Sequence, residues 1–294
     1  MDMLFQKIDL HMHTTVSDGT DSPLQIIKNV RKAGITLFSV TDHDAYKCSL
    51  LVPRQLKTGD PAFITGVEFS CRDEEGSYHI LGYGYDPEAD AIRKVMEQGH
   101  KYRMNKLTKR LDRLETEYGF VFRPEDVAEL ESQDNPGKPH IANLMVKYGY
   151  AESKDEAMIR YLNRLHYRSE YVRPETAITG ILKAGGIPVL AHPSYGSGSQ
   201  MITGENMDAR IRKLMVFGLM GLEGYYSGFS QKLRNEILAF AEKYGLYVTA
   251  GSDYHGCNKT IGLGQTGLDG NEYPEGLLRF LQDINDRIYN KEQA

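Results

Sequence analysis

Ile8-Asp9-Leu10-His11-Met12-His13 sets two imidazoles two residues apart in an otherwise largely apolar segment. In an extended chain, side chains two apart leave the same face, so His11 and His13 can grip one ion. The turn that follows, Ser17-Asp18-Gly19, adds a carboxylate. A second island, Val40-Thr41-Asp42-His43-Asp44, ends an apolar run. Three ionisable residues in a row are costly to bury unpaired. A capped turn accounts for Asp42 or Asp44 but not for His43 between them. Glu68 closes Gly66-Val67-Glu68, and His79 opens Tyr78-His79-Ile80-Leu81-Gly82. His192 ends Val189-Leu190-Ala191-His192-Pro193, and Asp253 and His255 stand in Gly251-Ser252-Asp253-Tyr254-His255-Gly256. The two glycines there permit a tight backbone. Taken singly, each island has a plain explanation, such as a chance surface His pair or a satisfied core histidine. Their joint placement does not. Six of the nine histidines (11, 13, 43, 79, 192 and 255) fall at or beside expected strand ends. Imidazole with carboxylate and no thiolate suits Zn²⁺, Mn²⁺ or Fe²⁺ better than Ca²⁺ or Mg²⁺. So many donors exceed one tetrahedral ion and imply a cluster of two or three divalent metal ions.

The elements that must position these groups are short β-rich runs at 6–10, 36–40, 62–68, 78–82, 187–191, 220–223 and 246–250, with helical patterns between most of them. The first helix is the clearest: Ser22 caps, Pro23 suits the first turn, and Ile26, Ile27, Val30 and Ala33 form one apolar stripe ending at Gly34. Further helices are expected at 174–184, 206–217, 231–244 and 274–289. Alternating strands and helices predict a largely parallel sheet, open or closed into a barrel. The stretch 88–171 breaks the rhythm, with helical segments at 89–118, 124–130, 139–148 and 153–165 and no convincing strand. It reads as a helical insertion in an α/β body formed by residues 1–87 and 172–294. Residues 93–173 hold 16 Lys and Arg against 13 Asp and Glu, a net of +3, so the rest carries -8 of the total of -5. For most of its arginines a solvated surface is the expected role; for the segment as a whole, a lid receiving an anionic substrate is the alternative.

The remaining composition narrows the class. With 294 residues the chain can bury a large core. A net charge of -5 argues against coating nucleic acid in bulk. No apolar run approaches the roughly 20 residues of a membrane span, and residues 1–7 lack a secretory pattern. Three widely spaced cysteines, Cys48, Cys71 and Cys257, read as reduced thiols. A cytoplasmic protein with no membrane association and no obligate protein partner is expected.

The islands Asp9-Leu10-His11-Met12-His13, Thr41-Asp42-His43-Asp44, Gly66-Val67-Glu68, Ala191-His192-Pro193 and Gly251-Ser252-Asp253-Tyr254-His255 closely resemble the PHP (polymerase and histidinol phosphatase) superfamily. The resemblance spans Ile8 to about Gly264. It implies a distorted (β/α)₇ barrel with a trinuclear metal site at the strand C-termini. Its ligands would be His11, His13, Asp18, His43, Glu68, His79, His192, Asp253 and His255. It also implies hydrolysis of phosphate esters, in which metal ions neutralise the ester's charge, acidify water and steady the leaving oxygen, so that no Ser or Cys nucleophile is needed. His192 and Asp42 are the candidates for a general acid.

The helical stretch is similar to the subfamily that includes 3′,5′-nucleoside bisphosphate phosphatases and 5′-to-3′ exoribonucleases. By that resemblance, Gly137-Lys138-Pro139-His140-Ile141 enters a helix whose N-terminus, with Lys138 and His140, would hold a second phosphate. Arg103, Arg168 and Arg173 are further candidates, and Arg173 borders the returning body. The expected substrate is a phosphorylated small molecule, a nucleotide such as a 3′,5′-nucleoside bisphosphate, with short 5′-phosphorylated RNA as an extension. Histidinol-phosphate phosphatase is a competing enzyme reading, and a non-catalytic metal or nucleotide sensor is a competing reading of another class.

Overall fold

The computed structural model describes residues 5–194, 202–268 and 273–292. Two parallel dipeptide strands, β1 (Ile8–Asp9) and β2 (Leu37–Phe38), pair with each other, and β2 pairs with β3 (Ala62–Phe63) to complete a three-stranded sheet. The second sheet holds β4 (Gly66–Asp73), β5 (Gly76–Tyr83), β6 (Ile187–Leu190), β7 (Gly221–Tyr226) and β8 (Tyr247–Gly251), in that order. The largely parallel arrangement is broken at one strand: β5 runs antiparallel to both β4 and β6, while β6–β7–β8 are parallel, as are β1–β2–β3. The run expected at 62–68 also divides into β3 and β4, and β4 continues five residues past Glu68. The reason is the β4–β5 hairpin, whose ladder runs unbroken from Gly66–Tyr83 to Asp73–Gly76. Glu68 and His79 therefore lie within strands and not at their ends.

The ladders draw two open sheets and not one continuous ring. Single bridges join them at the level of the polar islands: Met12 with Tyr254, and His43 with Glu68. Hydrogen bonds from Leu10 N to Ala250 O (2.9 Å) and from Asp253 N to His11 O (2.8 Å) tie β1 to β8.

Helix α1 (Pro23–Lys32) follows its sequence signals. Ser22 Oγ accepts from Gln25 N, Ile26, Ile27 and Val30 are buried, and the chain turns at Gly34 with φ +68°. A short helix that the sequence pattern did not announce, α2 (Lys47–Leu51), follows the Asp42–Asp44 island. Then come α3 (Asp90–Tyr118), α4 (Pro124–Glu131), α5 (Lys138–Lys147), and α6 (Lys154–Glu156) continuing as a π-helical turn over Ala157–Leu162. Helices α7 (Pro174–Lys183), α8 (Gly204–Phe217), α9 (Gln231–Lys243) and α10 (Glu275–Glu292) alternate with β6, β7 and β8. Helices α3–α6 share an apolar cluster of their own, including Leu107, Leu114, Ile141, Met145 and Leu162. The first turns of α3 belong instead to the main core, where Ile92, Val95 and Met96 pack with Ile178 and Ile181 of α7. Among the described residues no helix is long and apolar enough to cross a membrane. Cys48, Cys71 and Cys257 are free thiols.

Candidate metal centre

The alternation expected after β1 is present: Met12 is buried in an apolar cluster, while His11 and His13 turn together to the polar side. Their Nε2 atoms lie 3.2 and 3.1 Å from Glu68 Oε2, and 3.5 and 3.3 Å from Asp253 Oδ1. His13 Nδ1 and His255 Nε2 approach Asp18 Oδ1 at 3.6 and 3.3 Å. His43 Nδ1 lies 3.3 Å from Glu68 Oε2, and His79 Nδ1 lies 2.7 Å from Glu68 Oε1. The donor atoms fall into three overlapping groups, each compact enough for one ion: His13, Asp18, His43 and His255; His11, His13, Glu68 and Asp253; and His43, Glu68 and His79. His192 borders them, its Nε2 3.0 Å from Glu68 Oε1 and 3.3 Å from His79 Nδ1.

The residues fit a divalent-ion cluster. His11 Nε2, His13 Nε2 and His43 Nδ1 are buried without a well-formed hydrogen bond and crowd one carboxylate oxygen, Glu68 Oε2, at 3.1–3.3 Å; a divalent cation among them would satisfy imidazoles and carboxylate together. In His11 and His255 the second ring nitrogen is fixed as a ligating histidine requires. His11 Nδ1 donates to Glu223 Oε1 at 2.9 Å, and His255 Nδ1 donates to the Asp253 carbonyl at 2.8 Å. Burial alone would raise the Glu68 pKa, yet the imidazoles of His79, His11 and His43 outweigh it and hold the carboxyl well below its usual range. Burial would lower His13, but Asp253 and Glu68 raise it to about 9. His43 stays well below its usual value, because burial and the charges of His13 and Arg103 prevail over Glu68 and Asp18. The backbone is strained at the same place. Among the described residues, the non-glycine positions with positive φ are Asp44 (50°), His192 (24°), Ser194 (67°) and Asp253 (58°). Such conformations cost on the order of 1–3 kcal/mol each and persist where surrounding structure enforces them. Gly251 is required by contact: a Cβ there would stand 2.2 Å from His11 Cβ and 2.5 Å from Glu223 Oε1.

Not every sequence candidate joins the cluster. Asp42 is a brace for the loop before α1: Oδ1 accepts from Thr14 N and Ser17 Oγ, both at 2.7 Å, and Oδ2 accepts from Thr14 Oγ1 at 2.8 Å. Both oxygens are thus committed, which disfavours a proton-donor role. Arg173 is turned away. Because Val172 bridges Cys71 on β4, the next residue emerges beside the β4–β5 hairpin and pairs with exposed Glu74 at 2.8 Å. Arg168 is exposed, and its carbonyl accepts from Lys109 Nζ. Arg103 is buried and reaches Asp44 Oδ2 at 2.7 Å and Ser70 Oγ at 3.0 Å. Lys138 Nζ donates to Asn163 Oδ1 at 2.7 Å, and His140 Nδ1 accepts from Gly137 N at 3.0 Å, closing the first turn of α5.

Four side chains that brace the candidate site went unread in the sequence. Glu223 holds His11 Nδ1 with one oxygen and the His192 backbone N–H (2.6 Å) with the other. It ends an apolar run as Glu68 was expected to, and that was its available signal. Asp9 is fully buried and accepts from Ser252 N (2.9 Å), Ser252 Oγ (2.6 Å) and Gly264 N (2.7 Å). Tyr226 and Lys259 both bond Asp253 Oδ2, at 2.9 and 2.5 Å. Tyr226 and Lys259 also line a cavity of about 250 Å³ together with His43, Glu68, His79, His192 and Asp253.

Known proteins with the same features fix the class. The PHP domain family matches residues 9–155, half of the chain, and the chain belongs to that family. A 5′-3′ exoribonuclease from Haemophilus influenzae is 26% identical over 253 residues, covering 85% of this chain and 90% of the relative. A 3′,5′-nucleoside bisphosphate phosphatase from Chromobacterium violaceum is 28% identical over 259 residues, covering 84% and 87%. A crystal structure from Bifidobacterium adolescentis, provisionally assigned as a metal-dependent phosphoesterase, superimposes with a TM-score of 0.81 at 25% identity and covers 96% of both chains. Family and fold together make this chain a metal-dependent phosphoester hydrolase.

Proposed function

We propose that the chain removes one phosphate from a nucleotide that carries a second, such as a 3′,5′-nucleoside bisphosphate, and that the 5′-phosphorylated end of short RNA can take the same place. One observation carries this reading. Arg103, Lys106 and Arg110 are buried along one face of α3, at the i, i+3, i+7 spacing that aligns side chains on a helix. Among the described residues, Arg103 has its carboxylate in Asp44, but Lys106 and Arg110 have none within ion-pair distance. Arg110 Nε is buried without a hydrogen-bond partner, and Lys106 Nζ rests 3.9 Å from the Tyr171 ring centroid. Burial, with Arg103 and Arg110, lowers Lys106 to about 7; burial and then Arg110 lower Lys138 to about 8. The row begins at the edge of the metal centre: a Cβ on Gly137 would lie 3.7 Å from both Arg103 Nη1 and Asp18 Oδ2. Crowded buried cations are unfavourable without an anion, and a distal phosphate is the anion that this reading supplies.

The residues assigned to the metal ions are His11, His13, Asp18, His43, Glu68, His79, His192, Asp253 and His255. When bound, two or three ions of the Mn²⁺, Zn²⁺ or Fe²⁺ type would neutralise the ester and activate water. His192, whose Nε2 lies 3.0 Å from Glu68 Oε1, is assigned here to the ligands. The two bridged sheets are taken as a distorted barrel, and helices α3–α6 as the lid that receives the distal phosphate. Histidinol phosphate fits less well, since its ammonium and imidazole would meet a row of buried cations. A sensor without turnover has no use for water activation by a full ligand set.

The test is phosphate release by Mn²⁺-loaded protein from adenosine 3′,5′-bisphosphate, a 5′-phosphorylated trinucleotide, histidinol phosphate and p-nitrophenyl phosphate. The bisphosphate or the trinucleotide should lead in kcat/KM. A lead for histidinol phosphate, or a bisphosphate no better than p-nitrophenyl phosphate, would reject the nucleotide assignment. Absence of turnover on all four would favour the sensor.

A further inference from the structure

The loop after β8 presents a cation that neither the ligand set nor the α3 face uses. Its base is fixed from several directions. Gly256, with φ +64°, packs so closely that a Cβ would stand 1.9 Å from Thr20 Oγ1. Cys257 N donates to that same hydroxyl at 2.9 Å, Thr20 N donates to the His255 carbonyl at 3.2 Å, and Asn258 Nδ2 donates to the Asp18 carbonyl at 2.7 Å. From the far side, Lys154 of α6 bonds the Asn258 side-chain carbonyl. Lys259 leaves this clamped turn and reaches Asp253 Oδ2 at 2.5 Å. Asp253 is therefore divided: Oδ1 faces His11 and His13, while Oδ2 takes the Tyr226 hydroxyl and the Lys259 ammonium.

A lysine whose whole purpose was to brace Asp253 would duplicate Tyr226. Lys259 is also 38% exposed, and it lines the cavity into which Glu68, His79 and His192 face. An ammonium has three donors and spends one on Asp253. An ester dianion entering that cavity meets the carboxylates of Asp18, Glu68 and Asp253, so it needs positive charge on its outward side as well as beneath it. We infer that Lys259 contacts the phosphoryl group being cleaved, donating to a non-bridging oxygen while Asp253 and the clamped turn hold the ammonium in place. Its role is electrostatic, stabilising the negative charge on the transferring group, and no proton leaves it. The ligand class is a tetrahedral oxyanion. The inference rests on phosphoester hydrolysis and not on the nucleotide reading.

The experiment compares parent, K259M and K259R in the full Mn²⁺-loaded chain. It measures bound metal by elemental analysis, inorganic phosphate binding by calorimetry, and turnover of p-nitrophenyl phosphate and adenosine 3′,5′-bisphosphate. K259M should retain its metal and bind inorganic phosphate at least about tenfold more weakly, as expected for one lost charge-assisted contact. It should lose kcat/KM by similar factors on both substrates, and K259R should recover much of the phosphate affinity. A K259M protein that has lost metal would make the lysine a brace for Asp253 and overturn the inference. Retained metal with phosphate affinity within about twofold of the parent would overturn it equally, since a direct charged contact is worth more than that. A bisphosphate with no advantage over p-nitrophenyl phosphate in all three proteins would instead count against the nucleotide reading.

Discussion

Replacing Lys106 by Met should make the protein more stable and less selective at once. Lys106 is 6% exposed, and burial with Arg103 and Arg110 brings it from 10.5 to about 7. That fall is worth roughly 5 kcal/mol at about 1.4 kcal/mol per decade of acidity. The contact with the Tyr171 ring returns about 1–2 kcal/mol of it, and coupling to two arginines makes the remainder an upper figure. A net gain on the order of 2 kcal/mol for Lys106→Met corresponds to a rise of several degrees in Tm. The sign with pH is fixed by linkage. Between about 7 and 10.5 the unfolded lysine is protonated and the folded one is not, so the parent gains stability as pH rises through that window. The advantage of the variant is therefore largest near and below pH 7 and shrinks towards 10.5. Thermal melts of parent and variant from roughly pH 6.5 to 9, at constant metal, measure this difference. In parallel, kcat/KM for adenosine 3′,5′-bisphosphate should fall about 10- to 150-fold, the equivalent of losing 1.5–3 kcal/mol of charge-assisted bonding, with p-nitrophenyl phosphate nearly unaffected. A lower Tm, a pH-independent gain, or equal losses on both substrates would refute the account of α3 as an anion-receiving face.

Glu223→Gln offers one acceptor where His11 Nδ1–H and the His192 N–H each need one. Chelator competition should show metal affinity lowered about 10- to 100-fold, and unchanged affinity would mean that Glu223 does not orient these groups. Arg173→Ala should leave both substrates within about twofold of the parent, because an exposed pair with Glu74 contributes little. A selective loss on the bisphosphate would show that Arg173 leaves Glu74 to bind substrate.

The gathering of the histidine and carboxylate islands was legible because their spacing does local work. Two histidines two apart in an extended segment share a face wherever that segment lies, and His11 and His13 do so. Ser22, Pro23 and the Ile26–Ile27–Val30 stripe likewise announce α1 without help from the rest of the chain. Features that depend on distant partners were not legible. The direction of β5 is set by its pairing with β4 and β6, and the same hairpin carries β4 past Glu68. Arg173 looked well placed by its position in the chain, yet the bridge of Val172 to Cys71 turns it outward. Arg103, Lys106 and Arg110 show their helical spacing in the sequence, but charged residues on a helix are ordinarily solvated. Their burial comes from distant partners, Asp44 and Ser70 against Arg103 and the Tyr171 ring against Lys106. Asp42 and Asp44 stand two apart in one motif, and nothing local says that one braces a loop while the other holds an arginine.

The Asp9 carboxylate has a consequence for how the chain comes to exist. It fastens Ser252 and Gly264, 243 and 255 residues further along. The entropy of closing so long a loop grows only logarithmically with its length, but a ribosome delivers the two ends far apart in time. His11, His13, His43 and Glu68 leave the exit tunnel while Asp253 and His255 are still to be decoded, so the nascent chain offers metal ions an incomplete set of donors. On the proposed ligand set, full affinity would arrive only with the turn that follows β8. Stable metal retention would then mark a chain that has finished folding, and pulse-labelled intermediates arrested before residue 250 should release their ions to a mild chelator.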